Sequence, residues 1–404
     1  MDLSRLEEWC LKSLKEGEPK QYDVLSPLAK LTVVVPSYGR QDFLLRQAVY
    51  WGNDAAKLVI VDGSPAPLRA DVEKGLSAQS NIEYLHLPKD IAARLDLAAK
   101  HVHTPYSVLL GDDEFHLKKG LSLAIDKLEK DPALVACIGQ SLIFRPSIDR
   151  TTLTYSTGYR HWKYEIAQTD IRQRTIAAMS NYNAATCYAV HREPFGSRSW
   201  GGLKPWSSPY VGELQQAIAT YIFGKLSTVD EVYWLRSYEN PPVSIKAEWD
   251  LKLQFDDWWL SPKFQLERDE FVGILVSEAV STGQVEYAEA RTIILETVDA
   301  YLDFSRRAKQ SARTGATIVS GLRSRISRTL RAVMTEKQLL SLKARLFGLF
   351  RMREEGNLGS LGDMKRKRTT GTFPIGEDLV SELGNIEDLI VAFHAIRKAG
   401  TGND

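Results

Sequence analysis

Apolar runs and helical patterns alternate along the first third of the chain. Short runs rich in apolar, often β-branched residues predict four strands, at 31–36, 57–61, 82–86 and 106–110. Apolar residues at helical spacing predict the intervening and following helices, at 42–50, 89–103 and 117–130. Strands that alternate with helices of this length indicate βαβ units, with a parallel sheet, helices on its faces and right-handed crossovers.

This alternation changes after Pro146. Further strands are predicted at 151–165, 183–190 and 229–235. Residues 195–209, rich in glycine, serine, proline and tryptophan, are interpreted as a loop, and a helix is predicted from about Val211 to Phe223. A loop of this length is uncommon unless it is functional or mobile.

Helical patterns dominate beyond Pro242, at 269–282, 288–309 and 377–398. Residues 306–353 contain thirteen lysines or arginines and one acid, Glu336. Leucines at helical spacing between these cations predict one or two basic amphipathic helices, of the kind that lie on an anionic membrane surface. An acidic partner protein, or packing on the acidic remainder of the chain, could equally compensate the positive charge of this segment.

The polar, glycine-rich segment 356–376 shows no periodicity and is predicted to be a linker or disordered. The predicted organisation is an N-terminal helix (1–30), an α/β domain (31–245), a helical extension (246–305), basic amphipathic helices (306–355), this linker, and a C-terminal helix (377–404) that could serve oligomerisation.

Composition excludes several classes of protein for the 404 residues. The three cysteines have no metal-binding spacing, so neither a zinc site nor a disulfide framework is expected. The N-terminus lacks the pattern of a signal peptide, and no run approaches the roughly 20 apolar residues of a transmembrane helix. No nucleic-acid-binding module is recognisable. These features predict a cytoplasmic protein, at most peripheral on the cytoplasmic face of a membrane.

Three consecutive carboxylates, Asp112, Asp113 and Glu114, follow the predicted strand 106–110, and we call residues 112–114 the acidic loop. Carboxylates this close repel one another and resist burial, so a compensating charge is expected. Hard oxygen ligands without a nearby cysteine favour Mg²⁺ or Mn²⁺, and ligands of open α/β sheets bind at the carboxyl ends of the strands. The alternative is an acidic loop that stabilises the start of the next helix.

Six short motifs follow one another in register between residues 31 and about 240: VPSYGR at 35–40, VDGSP at 61–65, IAAR at 91–94, the acidic loop, YAVHR at 188–192, and GEL at 212–214. Together they make this part of the chain resemble the family-2-like inverting glycosyltransferases of the GT-A fold, a Rossmann-like, mostly parallel α/β sheet flanked by helices. Helical patterns follow this domain. The resemblance implies a divalent cation, Mn²⁺ or Mg²⁺, held by Asp112 and Glu114. A glutamate stands where the family usually has the last aspartate of its Asp-x-Asp motif, which leaves open which carboxylate touches the metal.

The resemblance also implies a role for each remaining motif. Glu213 is the expected general base for the acceptor hydroxyl, the alternative being an acid that stabilises the helix start. Nucleotide and donor contacts are expected from Pro36, Ser37, Tyr38, Arg40, Asp62, Arg94, Asp112 and Asp113. Asp62 could instead form a turn, Tyr38 could be a core residue, and Arg94 could make a surface salt bridge.

The two tryptophans of the segment 195–209, Trp200 and Trp206, have two interpretations: acceptor-site or lid residues that stack on sugar rings, or core residues. His116 is weighed as a third metal ligand against a histidine with no metal role.

The resulting prediction is a metal-dependent glycosyltransferase. It would move a sugar from a nucleotide-sugar donor, expected to be UDP-linked, to a saccharide or lipid-linked acceptor in polysaccharide or glycoconjugate synthesis. A sugar nucleotidyltransferase is disfavoured because the first turn holds a single glycine, Gly39, rather than a glycine-rich phosphate loop. A non-catalytic sugar- or nucleotide-binding scaffold is the alternative from another class.

Overall fold

A computed structural model describes residues 3–16, 26–158, 164–240, 253–331, 356–367 and 373–399, with the backbone alone over 311–331. The strands are β1 Leu31–Ser37, β2 Lys57–Asp62, β3 Ile82–His86, β4 Tyr106–Leu109, β5 Phe115–His116, β6 Leu134–Pro146, β7 Leu153–Thr157, β8 Val190–Arg192, β9 Lys225–Ser237 and β10 Asn357–Gly359.

The helices are α1 Ser4–Glu16, α2 Gln41–Trp51, α3 Ala70–Ser77, α4 Ile91–Ala99, α5 Lys118–Lys130, α6 Ile171–Ser180, α7 Phe195–Gly201, α8 Pro209–Phe223, α9 Phe255–Leu260, α10 Gln265–Ser281, α11 Tyr287–Arg331, α12 Leu361–Lys367 and α13 Glu377–Ala399. Short 3-10 helices lie at Pro27–Lys30, Ala184–Tyr188 and Pro262–Phe264.

The main path of the sheet runs β10-β7-β6-β8-β4-β1-β2-β3, and β9 pairs with both β6 and β5. Strands β4, β1, β2 and β3 are parallel, whereas β8 is antiparallel to its neighbours β4 and β6. The central strands β1 and β2 are buried along nearly their whole length, as expected for parallel strands covered on both faces. The α/β prediction is confirmed, and the sheet is mixed because β6–β10 add antiparallel pairs.

Local sequence explains where the helices that flank the site begin. The side chain of Asp90 accepts a hydrogen bond from the backbone N–H of Ala93 at the start of α4. At the start of α8, Ser208 accepts from the N–H of Tyr210, and Pro209 occupies the first turn. Both are standard N-terminal capping arrangements, so the local sequence determines where these helices begin.

Two strand or loop predictions between 183 and 209 were wrong. Residues 184–188 form a 3-10 helix, since the side chain of Asn183 accepts from the N–H of Ala185 and begins a helical turn, and the strand is only Val190–Arg192. The predicted loop 195–209 opens with helix α7. Capping and packing, rather than β-propensity and glycine content, thus determine the structure of these two segments.

The prediction that 356–376 is a linker or disordered is also wrong for those of its residues that the structure describes. They form β10 and α12, and four of their apolar side chains are buried: Leu358, Met364, Phe373 and Ile375. These side chains join a core cluster with β5, β6, β7, β9 and α13. These apolar residues show no periodicity in the sequence. Their burial depends instead on the part of the fold against which they pack.

The basic segment begins within α11, which extends to Arg331, well past the predicted end near residue 309. Its remainder, 332–353, lies outside the described residues. Among the helices that the structure describes, none is both long and apolar enough to cross a membrane.

Candidate active site at the carboxyl ends of the parallel strands

The acidic loop leaves β4 and is held through its backbone by two side chains of α2. Gln47 Nε2 donates to the carbonyl oxygens of Asp112 at 3.0 Å and Glu114 at 2.6 Å. Arg46 Nη2 donates to the carbonyl oxygen of Asp113 at 2.9 Å. All three carbonyls of the loop are therefore fixed from the α2 side.

The Asp112 carboxylate meets β1 at the same edge of the sheet. Ser37 Oγ donates to Asp112 Oδ2 at 2.6 Å, and Arg40 Nη1 donates to Oδ1 at 2.7 Å. Arg40 Nη1 also lies 3.3 Å from Asp113 Oδ2. Burial and the charge of Asp113 raise the pKa of Asp112 to about 6, against the opposing effect of Arg40 and Ser37. Part of the charge compensation that the sequence analysis assigned to a metal thus comes from an arginine.

The charge of the Glu114 carboxylate is compensated less than that of Asp112. Its Oε2 accepts from Trp234 Nε1 at 2.9 Å, while Arg236 Nε is 3.9 Å from its Oε1. Burial, with a contribution from Asp113, raises the pKa of Glu114 to about 8. Within the described part of the chain, no group of three or more histidine, cysteine or carboxylate side chains is arranged to hold a metal ion.

Glu213 lies in the second turn of α8, partly buried. Tyr182 Oη donates to Glu213 Oε1 at 2.6 Å. Burial raises the pKa of Glu213, and Tyr182 and Arg236 partly oppose the rise. The charge of Arg236, about one-third exposed, opposes the rise in pKa of both Glu114 and Glu213, so both carboxylates lie within its electrostatic range.

The residues expected near the nucleotide base surround the ends of β1 and β2. Tyr38 is 43% exposed, so it is not a core tyrosine, and the Arg94 guanidinium carbon lies 5.7 Å from its ring centroid. Arg94 is buried and donates to the carbonyl oxygen of Ser37, which excludes the surface salt bridge weighed for it. A Cβ at Gly63 would lie 2.8 Å from Arg94 Nε, so the close approach of this side chain needs a glycine there.

Asp62 is fully buried and engaged within the protein. Its Oδ1 accepts from the N–H of Ser64 at 2.8 Å, which is the turn role weighed for it. Its Oδ2 accepts from Gln41 and Tyr84, each at 2.8 Å. A contact of Asp62 with the nucleotide stays a prediction. Pro36, next to Ser37 in β1, is partly buried.

Residues 32–195 match the family model described as Glycosyl transferase family 2. This segment is a family 2 glycosyltransferase domain. The match covers five of the six motifs and confirms the resemblance, and together with the sheet order it confirms the predicted GT-A fold. Glu213 and Arg236 lie beyond the matched segment, on α8 and β9, which complete the sheet and core of the same domain.

Three solved structures of S. aureus TarS align with this chain. TarS 1-349 aligns at 12% identity and a TM-score of 0.43, over 92% of each chain. Its complex with UDP-GlcNAc aligns at 13% identity and a TM-score of 0.43, over 69% of this chain and 74% of that one. The longer TarS chain aligns at 13% identity and a TM-score of 0.42, and only 44% of it is covered. Among curated proteins, none matches the sequence.

Both tryptophans weighed as lid residues are packed in the interior of the protein. Trp200 is fully buried beside Val34 and Leu95. Trp206 is 4% exposed and donates through Nε1 to Gln215 Oε1 at 2.7 Å. In this structure neither presents a ring face to a sugar, which favours the core interpretation.

His116 does not approach the acidic side chains as a ligand would. Its Nδ1 lies 3.0 Å from the carbonyl oxygen of Tyr233 and its Nε2 lies 3.0 Å from that of Leu109. With both ring nitrogens engaged by backbone oxygens and the side chain fully buried, the interpretation without a metal role is the one that fits.

Three residues of the site were missed by sequence reasoning: Tyr182, Trp234 and Arg236. Trp234 and Arg236 lie on β9, where Trp234 pairs with His116 and Leu235 with Phe115 of β5. Trp234 falls within the predicted strand 229–235 and Arg236 follows it, but only this pairing brings them beside the acidic loop. No local signal marks a strand residue as a neighbour of a loop 120 positions earlier.

Proposed function

We propose that the protein is a metal-dependent, inverting glycosyltransferase. It moves a sugar from a UDP-linked donor to a hydroxyl group of a saccharide or lipid-linked acceptor, in polysaccharide or glycoconjugate synthesis. The observation that carries the proposal is a match to the family 2 model together with two carboxylates, Glu114 and Glu213, that both lie within the electrostatic range of Arg236. Glu114 stands at the carboxyl edge of the sheet, and Glu213 stands on α8.

Glu213 is suited to accept the proton of the acceptor hydroxyl. A raised pKa brings a carboxylate closer to the operating pH, where a general base is most effective. The hydrogen bond from Tyr182 at 2.6 Å holds one carboxylate oxygen and leaves the other for the acceptor. The positive charge of Arg236 favours the ionised form of Glu213 and opposes part of the rise in its pKa that burial causes.

The acidic loop fits a hard divalent cation, Mn²⁺ or Mg²⁺. Such ions are commonly bound by one or two carboxylates together with substrate phosphates, so Asp112 and Glu114 are the protein ligands that we propose. The high pKa of Glu114 supports this assignment, because a buried carboxylate with little compensation favours a cation. When bound, the cation would neutralise charge that develops on the departing diphosphate. Arg40, which contacts Asp112 and Asp113, would hold both carboxylates in place.

Thermal unfolding against UDP, GDP and CDP, each with and without MnCl₂, tests the donor site. A ligand that binds only the folded protein raises the melting temperature by mass action. We expect UDP to raise it only with Mn²⁺, and Asp112→Asn and Glu114→Gln to abolish the shift. Glu296→Gln, an exposed carboxylate on α11, serves as the matched control and should retain it. The absence of a shift with every nucleotide, in folded protein with metal, would refute the proposal.

Release of UDP from UDP-sugars, measured with a panel of saccharide and lipid-linked acceptors, tests catalysis. We expect Glu213→Gln to retain the nucleotide-dependent shift and to lose UDP release. Nucleotide binding by the wild-type protein without any turnover would instead support the non-catalytic scaffold.

We propose further that the basic segment 306–353 brings the enzyme to the cytoplasmic face of an anionic membrane. Its thirteen cations and single acid support this placement. Sedimentation with phosphatidylglycerol vesicles, but not with phosphatidylcholine vesicles, is the expected result. Equal behaviour with both vesicles would contradict it.

A further inference from the structure

The C-terminal helix α13 returns to the start of the glycosyltransferase domain and packs on α2. The Phe393 ring centroid lies 5.2 Å from that of Phe43, and Arg397 Nη2 lies 3.2 Å from Asp42 Oδ2. The helix is separated from the acidic loop by more than 260 residues of sequence. Its inner face is nevertheless directed at the residues that hold that loop.

A continuous set of polar contacts joins α13 to the acidic loop. His394 Nε2 lies 2.6 Å from Glu239 Oε1, with Arg150 Nη1 3.2 Å from the same nitrogen. Glu239, just past β9, accepts from Arg46 Nη1 at 3.0 Å and from Arg46 Nη2 at 2.8 Å. The same Nη2 donates to the carbonyl oxygen of Asp113. The side chains of Arg46 and Glu239 are both completely buried.

Aromatic rings fix the plane of the Arg46 guanidinium. Its central carbon lies 4.7 Å from the ring centroid of Phe43 and 4.9 Å from those of Phe115 and Phe393. One of these rings belongs to α13 itself. A guanidinium confined in this way, with one nitrogen shared between Glu239 and Asp113, cannot shift without moving the loop's backbone.

Stability alone is a weak explanation for such a cluster. Replacing a buried ion pair by well-packed apolar residues is often neutral or stabilising. The contact with the acidic loop gives the cluster a second consequence, because Asn240, adjacent to Glu239, also donates to Asp113 Oδ2 at 3.3 Å. The cluster therefore touches both the backbone and the side chain of the loop.

We propose that His394 and Glu239 are positioning residues, which through Arg46 set the place of the acidic loop and so make α13 a required part of the donor site. What the loop binds rests on the proposed function. The positioning itself rests on the contacts between α13, Glu239, Arg46 and Asp113.

Three variants separate positioning from folding. His394→Leu removes the contact with Glu239 and introduces an apolar side chain of similar length in its place. His394→Gln retains an amide donor near the position of Nε2. Glu387→Gln is the matched control on the same helix, since Glu387 holds α13 through the N–H of Leu153 at 3.0 Å and the hydroxyl of Tyr155 at 3.1 Å, away from the acidic loop.

Calorimetric titration of the full chain with UDP in the presence of MnCl₂, well below the melting temperature of each variant, is the first measurement. We expect His394→Leu to bind about tenfold more weakly, and His394→Gln and Glu387→Gln to stay within about twofold of wild type. Glu387→Gln is expected to lower the melting temperature without changing affinity. Wild-type affinity in folded His394→Leu would overturn the proposal.

Amide hydrogen exchange over 110–117 provides a readout that needs no ligand. Local opening is reported by faster exchange, so we expect it to accelerate in His394→Leu and to be unchanged in Glu387→Gln. If wild type binds no nucleotide and exchange still responds to His394→Leu, the proposed function fails and the positioning stands. If UDP binds and neither affinity nor exchange responds, the positioning fails.

Discussion

The buried ion pair between Arg46 and Glu239 makes a strong prediction about stability. Both side chains are completely buried, so Glu239→Gln leaves the Arg46 charge without its counter-ion. Burial alone would raise the pKa of Glu239, but Arg46 and His394 outweigh it and bring the pKa from an ordinary 4.5 to about 2. Since one pKa unit corresponds to about 1.4 kcal/mol, this depression is worth about 3 kcal/mol at neutral pH. Removing one partner of a buried pair costs roughly 3–5 kcal/mol, in agreement.

The sign of the pH dependence follows from the direction of that change. A carboxylate with a depressed pKa contributes its full stabilisation above the unfolded-state pKa, near 4.5, and loses it as the pH falls through the folded value, near 2. The difference between wild type and Glu239→Gln should therefore shrink from about 3 kcal/mol at pH 7 to about 1 kcal/mol at pH 3.

Urea unfolding at pH 7 and pH 3, followed by far-ultraviolet circular dichroism, measures both quantities. Glu296→Gln is the control, since Glu296 pairs with Arg172 at 2.6 Å but both side chains are well exposed. Exposed pairs contribute about 0–1 kcal/mol, so this variant should stay close to wild type. A Glu239→Gln variant within about 1 kcal/mol of wild type at pH 7, or a deficit equal at both pH values, would refute the reasoning.

Further predictions concern the site and the core. Trp200→Ala should destabilise the fold by about 3–5 kcal/mol, because it empties a fully buried ring position; a loss of transfer with unchanged urea unfolding would instead identify a lid residue. Glu213→Gln should lower the rate of transfer about 10²–10⁴-fold with the nucleotide-dependent thermal shift intact; an unchanged rate would exclude the general base. Because the pKa of Glu114 is raised to about 8, the folded protein holds a proton that the unfolded chain has lost above pH 4.5. Wild type in EDTA should therefore lose stability as the pH rises from 5 to 8, and Glu114→Gln should flatten that slope; identical slopes would contradict the raised pKa.

The local elements around the site were largely predictable from sequence. Strand β3 has the predicted bounds, and β1, β2 and β4 differ from theirs by one residue. Apolar runs define such strands because a central parallel strand is buried on both faces and needs little else. The placement of the acidic loop at the carboxyl edge followed from the same reasoning.

Prediction failed for the segment 356–376, where glycines and polar residues indicated a linker. For Trp200, the sequence left a lid and a core interpretation open, and packing at a distance decides between them. The fold buries Trp200 between sheet and helices, and it uses Leu358 and Met364 to close the second core cluster. Composition describes a residue's neighbours in the chain, whereas burial depends on its neighbours in space.

The amino-acid sequence by itself determined the α/β succession, the carboxylates of the acidic loop and the position of Glu213 on a helix. Only the tertiary structure decided how their charges are compensated: Arg40 lies beside Asp112, Arg236 acts on Glu114 and Glu213, and α13 contacts the residues that hold the acidic loop. The reason is physical. Helix and strand patterns are set by side chains a few residues apart, whereas the energy of a buried charge depends on groups brought within a few ångströms by strand pairing and helix packing.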